Sequence, residues 1–127
     1  IVSINFDNSD GKIGAHGIRS GTAAATTNKV NWIREGAGDR FDQLELEIGA
    51  YFAAVTNATQ PTLEAMADAF GMPPDELARH PHALIGSADE ICETLAQRRE
   101  EYGISYVTVG GENMEAFAPV VAKLAGT

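Results

Sequence analysis

The stretch that decides the fold is residues 86–111, GSADEICETLAQRREEYGISYVTVGG, because it contains a complete helix-to-strand unit. Ser87 and Glu90 have the S-x-x-E spacing of a capping box, which marks the start of a helix. Gly103 is typical of a helix end, and the β-branched run 104–109 predicts a strand. A helix that leads directly into such a strand predicts a β/α architecture.

The same alternation extends outward over the rest of the chain. Residues 1–6 predict a first strand, and residues 43–55 predict a second, which becomes continuously apolar as buried parallel strands do. Helices are predicted between and after the strands: one capped by Thr26 or Thr27, one from Pro61 to Phe70, a short one at 73–80, and a last one with a buried stripe of Phe117, Val120, Val121 and Leu124 around Pro119. This order predicts one α/β domain, residues 1–127, with parallel strands. Three β/α units are less than half of an eight-unit barrel, and they also suit a small open sheet.

The composition limits the classes of partner. The chain has 127 residues and a net charge of −9, which argues against nucleic acid or an anionic membrane as the main partner. Cys92 is the only cysteine, so no internal disulfide forms, as expected of a cytoplasmic protein. No apolar run approaches the ~20 residues that span a bilayer. Because the chain begins at Ile1 inside a predicted strand, we expect it to be part of something longer.

Two glycine-containing turns are candidate anion sites. Gly110-Gly111 lies between a predicted strand and a predicted helix, where backbone amides and the helix start favour a phosphate. A tight turn that needs positive φ explains the same two glycines. Gly86-Ser87 has a similar ambiguity, and helix capping is the simpler interpretation there.

Histidines and acids provide the remaining candidates. His80 and His82 flank Pro81, and an extended backbone would direct both side chains to the same side. A third metal ligand is missing from the pattern, so we expect no metal site, and His82 is a candidate contact for a phosphate or carboxylate. Glu45 and Glu47 have the type and spacing of paired acids for proton transfer, or of a solvated strand face. No Ser-His-Asp or Cys-His set is visible in the chain.

Three segments together carry a family resemblance. They are TTNKVNWIREGAGDRFDQLEL (26–46), HPHALIGSADEICETLAQRREEYGISYVTV (80–109) and MEAFAPVVAKLAG (114–126). In order and spacing they resemble the C-terminal part of bacterial luciferase-like monooxygenases, most closely the coenzyme F420-dependent oxidoreductases.

The resemblance implies a fold, a cofactor and a reaction. The fold is a (β/α)8 TIM barrel, of which this chain would supply the last three β/α units. The cofactor is coenzyme F420 or FMN, and the reaction is hydride transfer or monooxygenation, whose chemistry belongs to the cofactor. The family's phosphate-binding turn and catalytic residues would fall before Ile1, so the isolated chain is expected to be inactive.

The resemblance also assigns parts of this chain to the cofactor site. His82 becomes the nearest candidate for a basic contact to the cofactor phosphate, and Gly110 and Gly111 would lie at the strand end that faces the cofactor. Residues 7–25, rich in Gly, Ser, Asp and Ala, correspond to a long loop that can cover an active site.

Two other functions remain open. A non-enzymatic α/β assembly module would associate through bare sheet edges at 1–6 and 104–109, with another copy or with a missing N-terminal part. A small independent enzyme would use the acids or His82. The expected small-molecule partners are therefore a cofactor and a substrate. The expected protein partner is another copy of the chain or the missing N-terminal part, and neither nucleic acid nor a membrane is expected.

Overall fold

A computed structural model describes residues 1–127. Its strands and helices follow the chain in this order: β1 (Val2–Ile4), α1 (Ala15–Ser20), α2 (Ala23–Ala37), β2 (Leu46–Ala50), β3 (Phe52–Val55), α3 (Thr59–Phe70), α4 (Pro74–Arg79), β4 (Ala83–Gly86), α5 (Ala88–Tyr102), β5 (Ile104–Val109) and α6 (Met114–Leu124). Short 3₁₀ helices at Gly38–Gln43 and Gly111–Asn113 precede β2 and α6. None of the helices combines the length and the apolarity that a membrane crossing requires.

The strands form two open parallel sheets. The larger sheet has the order β1-β2-β5, and the smaller sheet pairs β3 with β4. All three strand pairings are parallel, with Ile4 opposite Ile48 and Ile48 opposite Val107 in the larger sheet. The prediction of an α/β fold with parallel strands alternating with helices is confirmed. The sheets do not close into a barrel.

Helices cover only one face of the larger sheet. Ile4, Leu46 and Ile104 pack in one cluster with Val30 of α2 and Tyr102 of α5. A second cluster brings α5 and α6 onto the same side, and its buried members are Ala50, Leu84, Ile91, Phe117 and Val120. A third cluster around the smaller sheet contains Phe6, Ile18, Phe52, Leu63, Ala67, Leu77 and Ala83. The opposite face of β1, β2 and β5 therefore carries none of the buried core.

The prediction of one continuous strand over residues 43–55 is wrong. It divides at Tyr51 into β2 and β3, which belong to different sheets. The second half pairs with β4, from Phe52 opposite Ala83 to Val55 opposite Gly86. Strand β4 is not predicted from the sequence, because Pro81 and Gly86 bracket a run of only four residues.

Local sequence signals place several helix termini correctly. The capping box of Ser87 and Glu90 is confirmed, and Gly71 and Gly103 end their helices in the left-handed conformation. The cap of α2 is Thr22, four residues before the predicted Thr26, whose own side chain is buried.

Two further expectations need correction. Residues 7–25 are not one unstructured stretch, because α1 and the first turn of α2 lie within them. Ile18 anchors α1 by packing in the cluster that contains Phe6. In α6, Phe117 and Val120 are buried as predicted, whereas Val121 is 57% exposed. The helix continues through Pro119.

Candidate functional site

The uncovered face of the larger sheet, which we call the bare face, is polar. Ser3, Glu47 and Thr108 stand on it, and both hydroxyls donate hydrogen bonds to the Glu47 carboxylate, that of Thr108 at 2.8 Å. Tyr106 lies opposite Glu47 in the strand register and is 44% exposed. Parallel sheets are normally buried on both faces, so a polar face of this kind is available to a ligand or to another part of a protein.

Asn5 and Tyr51 extend the bare face beyond the carboxyl ends of β1 and β2. The Tyr51 ring folds back over Gly49, where an added Cβ would lie only 2.9 Å from the ring carbon Cζ. The Tyr51 hydroxyl donates to Asn5 Oδ1 at 2.9 Å. The Tyr51 ring also stacks on the imidazole of His82, with centroids 5.5 Å apart and planes 27° apart. These contacts fix the ring, yet Tyr51 remains 46% exposed.

His82 lies beneath Tyr51 and is fully buried. Its Nδ1 is 2.8 Å from the carbonyl oxygen of Gly49. A carbonyl only accepts, so the proton is assigned to Nδ1, and Nε2 keeps a lone pair. Nε2 has no hydrogen-bond partner. Burial lowers the pKa of His82 to about 4, so the ring is neutral at pH 7.

His80 is the second buried histidine of the segment. Its Nε2 is 2.8 Å from the carbonyl of Ile18 in α1, and its Nδ1 accepts the backbone N–H of His82 at 3.2 Å. Burial lowers the pKa of His80 as well. The guanidinium of Arg98 donates to the carbonyls of Pro81 and His80, at 2.9 and 3.1 Å. The segment therefore joins α1, β2 and α5 through buried hydrogen bonds.

These positions bear directly on the predicted phosphate contact at His82. A neutral imidazole under Tyr51 offers an acceptor at Nε2, whereas a phosphate requires donors or positive charge. Lys29 is an alternative cation, but its ammonium group donates to the carbonyls of Asn5 and Ser20 at 2.6 and 2.7 Å. The role of His82 in cofactor binding stays a prediction, and it requires a donor group on the ligand.

Gly110 and Gly111 follow β5, as expected. Neither has positive φ, so the tight-turn explanation through left-handed backbone is wrong. The carboxylate at the end of the flexible Glu112 side chain occupies the space where a Cβ of residue 110 would stand. A phosphate at this turn would have to displace that carboxylate. The assignment of Gly110 and Gly111 to cofactor binding stays a prediction.

Gly86, by contrast, has a backbone reason for its glycine. Its φ of +151° lies in the region that L side chains rarely adopt, and an added Cβ would approach the Glu90 side chain at 3.0 Å. Glu90 is engaged in the capping box and accepts a hydrogen bond from Thr59 at 2.7 Å. The turn at Gly86-Ser87 is therefore occupied by its own capping acid.

The histidines do not gather further ligands. The chain contains no group of three or more His, Cys, Asp or Glu side chains that could hold a metal ion. The imidazoles of His80 and His82 lie 5.7 Å apart, and each has a structural hydrogen bond to a carbonyl.

Sequence analysis did not single out Asn5 or Tyr51. One signal was present, because Gly49 interrupts an apolar strand, and a glycine there often marks a close approach by another group. Side chains of a strand alternate between its two faces, so Asn5 follows Ser3 on the same face two residues later. Tyr51 follows Glu47 in the same way four residues later. The comparison with family models, curated proteins and solved structures gives no match to this chain.

Proposed function

We propose that this chain is the C-terminal three-unit part of a larger (β/α)8 barrel of the luciferase-like class, which binds coenzyme F420 or FMN and transfers hydride or inserts oxygen. The observation that carries the proposal is a parallel sheet with helices on one face, a polar bare face on the other, and two free edges. The order and spacing of the three family-like segments supply the cofactor class.

Strand order favours a barrel over a doubly wound sheet. In a barrel, successive parallel strands are neighbours, helices surround the outside, and side chains fill the inside. In a doubly wound sheet, strand order reverses and helices cover both faces. Here β1, β2 and β5 cross the larger sheet in the order of the chain without reversal, although β3 and β4 of the smaller sheet come between β2 and β5 in the sequence. The helices α2, α5 and α6 pack on one side of the larger sheet. The bare face then corresponds to the barrel interior.

The residues at the carboxyl end fit the ring of such a cofactor better than its phosphate. Barrel enzymes bind ligands at this end of their strands. The exposed ring of Tyr51 suits a flat heterocycle, and Asn5 Nδ2 can donate to one of its oxygens. The Glu112 carboxylate against Gly110 and the net charge of −9 both oppose a phosphate. We therefore expect the phosphate to be held mainly outside this chain.

In this proposal the cofactor supplies the hydride or oxygen chemistry. Asn5 and Tyr51 would orient the ring system on the bare face. Neutral, fully buried His82 would hold the Tyr51 ring from below. Glu47, fixed by the hydroxyls of Ser3 and Thr108, would place negative charge deeper in the interior.

The test uses two chains. FMN and coenzyme F420 are titrated by fluorescence into the 127-residue chain and into a chain that includes any upstream reading frame of its gene. We expect tight binding and turnover only from the longer chain. Turnover by the 127-residue chain alone would refute the proposal that the catalytic residues lie outside this chain. An upstream reading frame without a glycine-rich turn would contradict the barrel proposal.

The free edges favour a second candidate function, a homo-oligomeric assembly module. The edges of β1 and β5 run in the same direction, so β1 of one copy can pair in parallel with β5 of another. A cavity of about 790 Å³ lies beside β5, and its apolar lining includes Val107, Val109, Phe117, Val121 and Leu124. Light scattering on the wild type and on Val109→Lys tests this function. A strict monomer at high concentration would contradict it.

A further inference from the structure

We propose that Tyr51 and Asn5 form a stacking site for a planar heteroaromatic ring that carries a carbonyl group. The ring would stack on the exposed face of Tyr51, and its carbonyl oxygen would accept a hydrogen bond from Asn5 Nδ2. The inference rests on the proposed function only in taking the carboxyl end of the sheet as the ligand-binding end. It names two residues that no family pattern in the sequence assigned to a ligand.

The first support is that the Tyr51 ring is fixed before any ligand arrives. Gly49 has no side chain, so the ring lies directly on the strand, and any other residue at that position would meet Cζ at 2.9 Å. The hydroxyl is tethered to Asn5 Oδ1, and Phe6 contacts the ring edge-on with centroids 5.1 Å apart. A ligand that stacks here would not have to immobilise the side chain, which favours binding.

The second support is the face that remains open. His82 covers one face of the ring, and Tyr51 is nevertheless 46% exposed. A fixed aromatic ring with one buried face and one open face is a surface on which flat rings stack, whichever heterocycle is involved. The open face of the Tyr51 ring is therefore a candidate surface for stacking with a planar ligand.

The third support is the hydrogen-bonding chemistry beside the ring. Because Asn5 Oδ1 accepts from Tyr51, the amide Nδ2 of Asn5 is directed away from it with two donor hydrogens. The tyrosine oxygen keeps its acceptor lone pairs. The pair thus presents a donor and an acceptor next to a flat surface, which is the pattern that a lactam or amide edge of a heterocycle requires.

The fourth support lies beneath the ring. His82 Nε2 is a buried polar atom without a partner. Burial keeps the imidazole neutral at pH 7, so the stacked pair carries no charge of its own. Lys29 donates to the backbone carbonyl of Asn5, so one cation contacts a residue of the pair. An electron-poor ring with carbonyl oxygens suits this environment better than a cationic ring.

Tyr106 provides a matched control on the same sheet face. It is exposed to nearly the same degree, 44% against 46%. It lies opposite Glu47, nearer the amino ends of the strands, whereas Tyr51 follows the end of β2. A ligand that merely prefers any exposed tyrosine would respond to both substitutions equally.

The experiment is a ¹H–¹⁵N NMR titration of the 127-residue chain with three probes: lumichrome, which is a flavin ring system without ribityl or phosphate, FMN, and inorganic phosphate. We expect lumichrome and FMN to shift the amides of Asn5, Gly49 and Tyr51, with contacts to the Tyr51 ring protons in a nuclear Overhauser experiment. Phosphate alone is expected to leave those amides unchanged. Tyr51→Leu should weaken lumichrome binding roughly fivefold or more, and Tyr106→Leu less than twofold.

Two further variants resolve the parts of the site. Tyr51→Phe keeps the ring and removes the hydroxyl that bonds Asn5, so we expect a loss of lumichrome affinity between those of the wild type and Tyr51→Leu. Asn5→Ala should remove the preference for lumichrome over a planar ring without a carbonyl, such as quinoline. If Tyr51→Leu fails to fold, the wild-type contacts between lumichrome and the Tyr51 ring decide the question. Absence of those contacts at millimolar lumichrome, or equal effects of the Tyr51 and Tyr106 substitutions, would overturn the inference.

The outcomes separate this inference from the proposed function. If FMN shifts only the amides near Gly110 and Gly111 while lumichrome shifts nothing, the stacking site is refuted and the cofactor proposal survives. If quinoline and lumichrome bind equally well on Tyr51 and Asn5→Ala changes neither, the hydrogen-bonding part is refuted. If lumichrome binds on Tyr51 but the longer chain binds neither FMN nor F420, the stacking site stands and the cofactor proposal fails.

Discussion

The buried segment His80–Gly86 and the bare face of the larger sheet use polar residues in opposite ways. In the segment, two histidines that look reactive in the sequence are buried, and their ring nitrogens mostly bond carbonyls or backbone amides. On the bare face, hydroxyls, an amide and a carboxylate bond one another and stay open to solvent. Residue type alone draws attention to the histidines of the segment. Burial and hydrogen-bond partners instead leave the polar groups of the bare face open to solvent.

The difference should appear most strongly in core substitutions. Leu84 in the segment is 1% exposed and packs in a cluster with Ile91 and Phe117. Leu84→Ala removes that packing and leaves a cavity, so we expect a loss of about 3 kcal/mol in the free energy of unfolding. Urea denaturation followed by circular dichroism measures the loss.

The matched substitution on the bare face is Thr108→Ala. Its hydroxyl bonds Glu47 at an exposed position, where water can replace it. We expect a change of about 0.5 kcal/mol or less in the free energy of unfolding. Similar losses for Leu84→Ala and Thr108→Ala would remove the distinction between the two regions.

Acid provides the second contrast. Burial lowers the pKa of His82 from 6.5 to about 4 in the folded chain, so the unfolded chain binds the proton more readily between these values. The contribution of neutral His82 to the free energy of unfolding is therefore complete above pH 6.5, and it is lost as the pH falls towards 4. Each pH unit in that window corresponds to about 1.4 kcal/mol, which gives roughly 2 kcal/mol between pH 7 and pH 5. His80, whose pKa is also lowered by burial, adds in the same direction.

His82→Asn isolates this effect. The asparagine amide can take the place of Nδ1 and donate to the Gly49 carbonyl, but it does not titrate. Comparison of urea midpoints at pH 7 and pH 5 should therefore show a smaller decrease for His82→Asn than for the wild type. His16→Asn serves as the control, because its side chain is 65% exposed and pairs with Asp7 at the surface. An unchanged pH dependence in His82→Asn would contradict the burial argument.

Features that depend on neighbouring residues could be predicted from the sequence, and features that depend on residues far apart in the chain could not. The cap at Ser87 and Glu90 and the helix ends at Gly71 and Gly103 depend on a few neighbouring residues, and they were predicted correctly. The strand β4 depends on pairing with β3, about thirty residues earlier in the chain, so its four residues gave no usable local pattern. The alternation of strands and helices survived these errors because it needs only the type of each element.

The candidate site was less predictable than the fold. His82 attracted attention through its residue type, but its burial comes from Phe6, Tyr51 and the Gly49 carbonyl, all distant in the sequence. The sequence predicts Tyr51 as part of a strand, because nothing local indicates that its ring returns over Gly49. A site assembled from strand ends becomes visible only when the register of β1 against β2 is known.

The smallest expected effect concerns Glu47, and it also tests whether the bare face stays bare. Glu47 accepts hydrogen bonds from Ser3 and Thr108, so Glu47→Gln keeps one acceptor oxygen and loses the charge. On an exposed face we expect a change of about 0.5 kcal/mol or less in the free energy of unfolding, with a similarly small coupling to Ser3→Ala in a double-mutant cycle. If further strands close this face in a longer chain, the same substitution leaves a buried group poorly paired and should cost roughly 1–3 kcal/mol there. Equal small effects in both chains would contradict closure of the barrel over Glu47. A large effect in the 127-residue chain would contradict the exposure of the bare face itself.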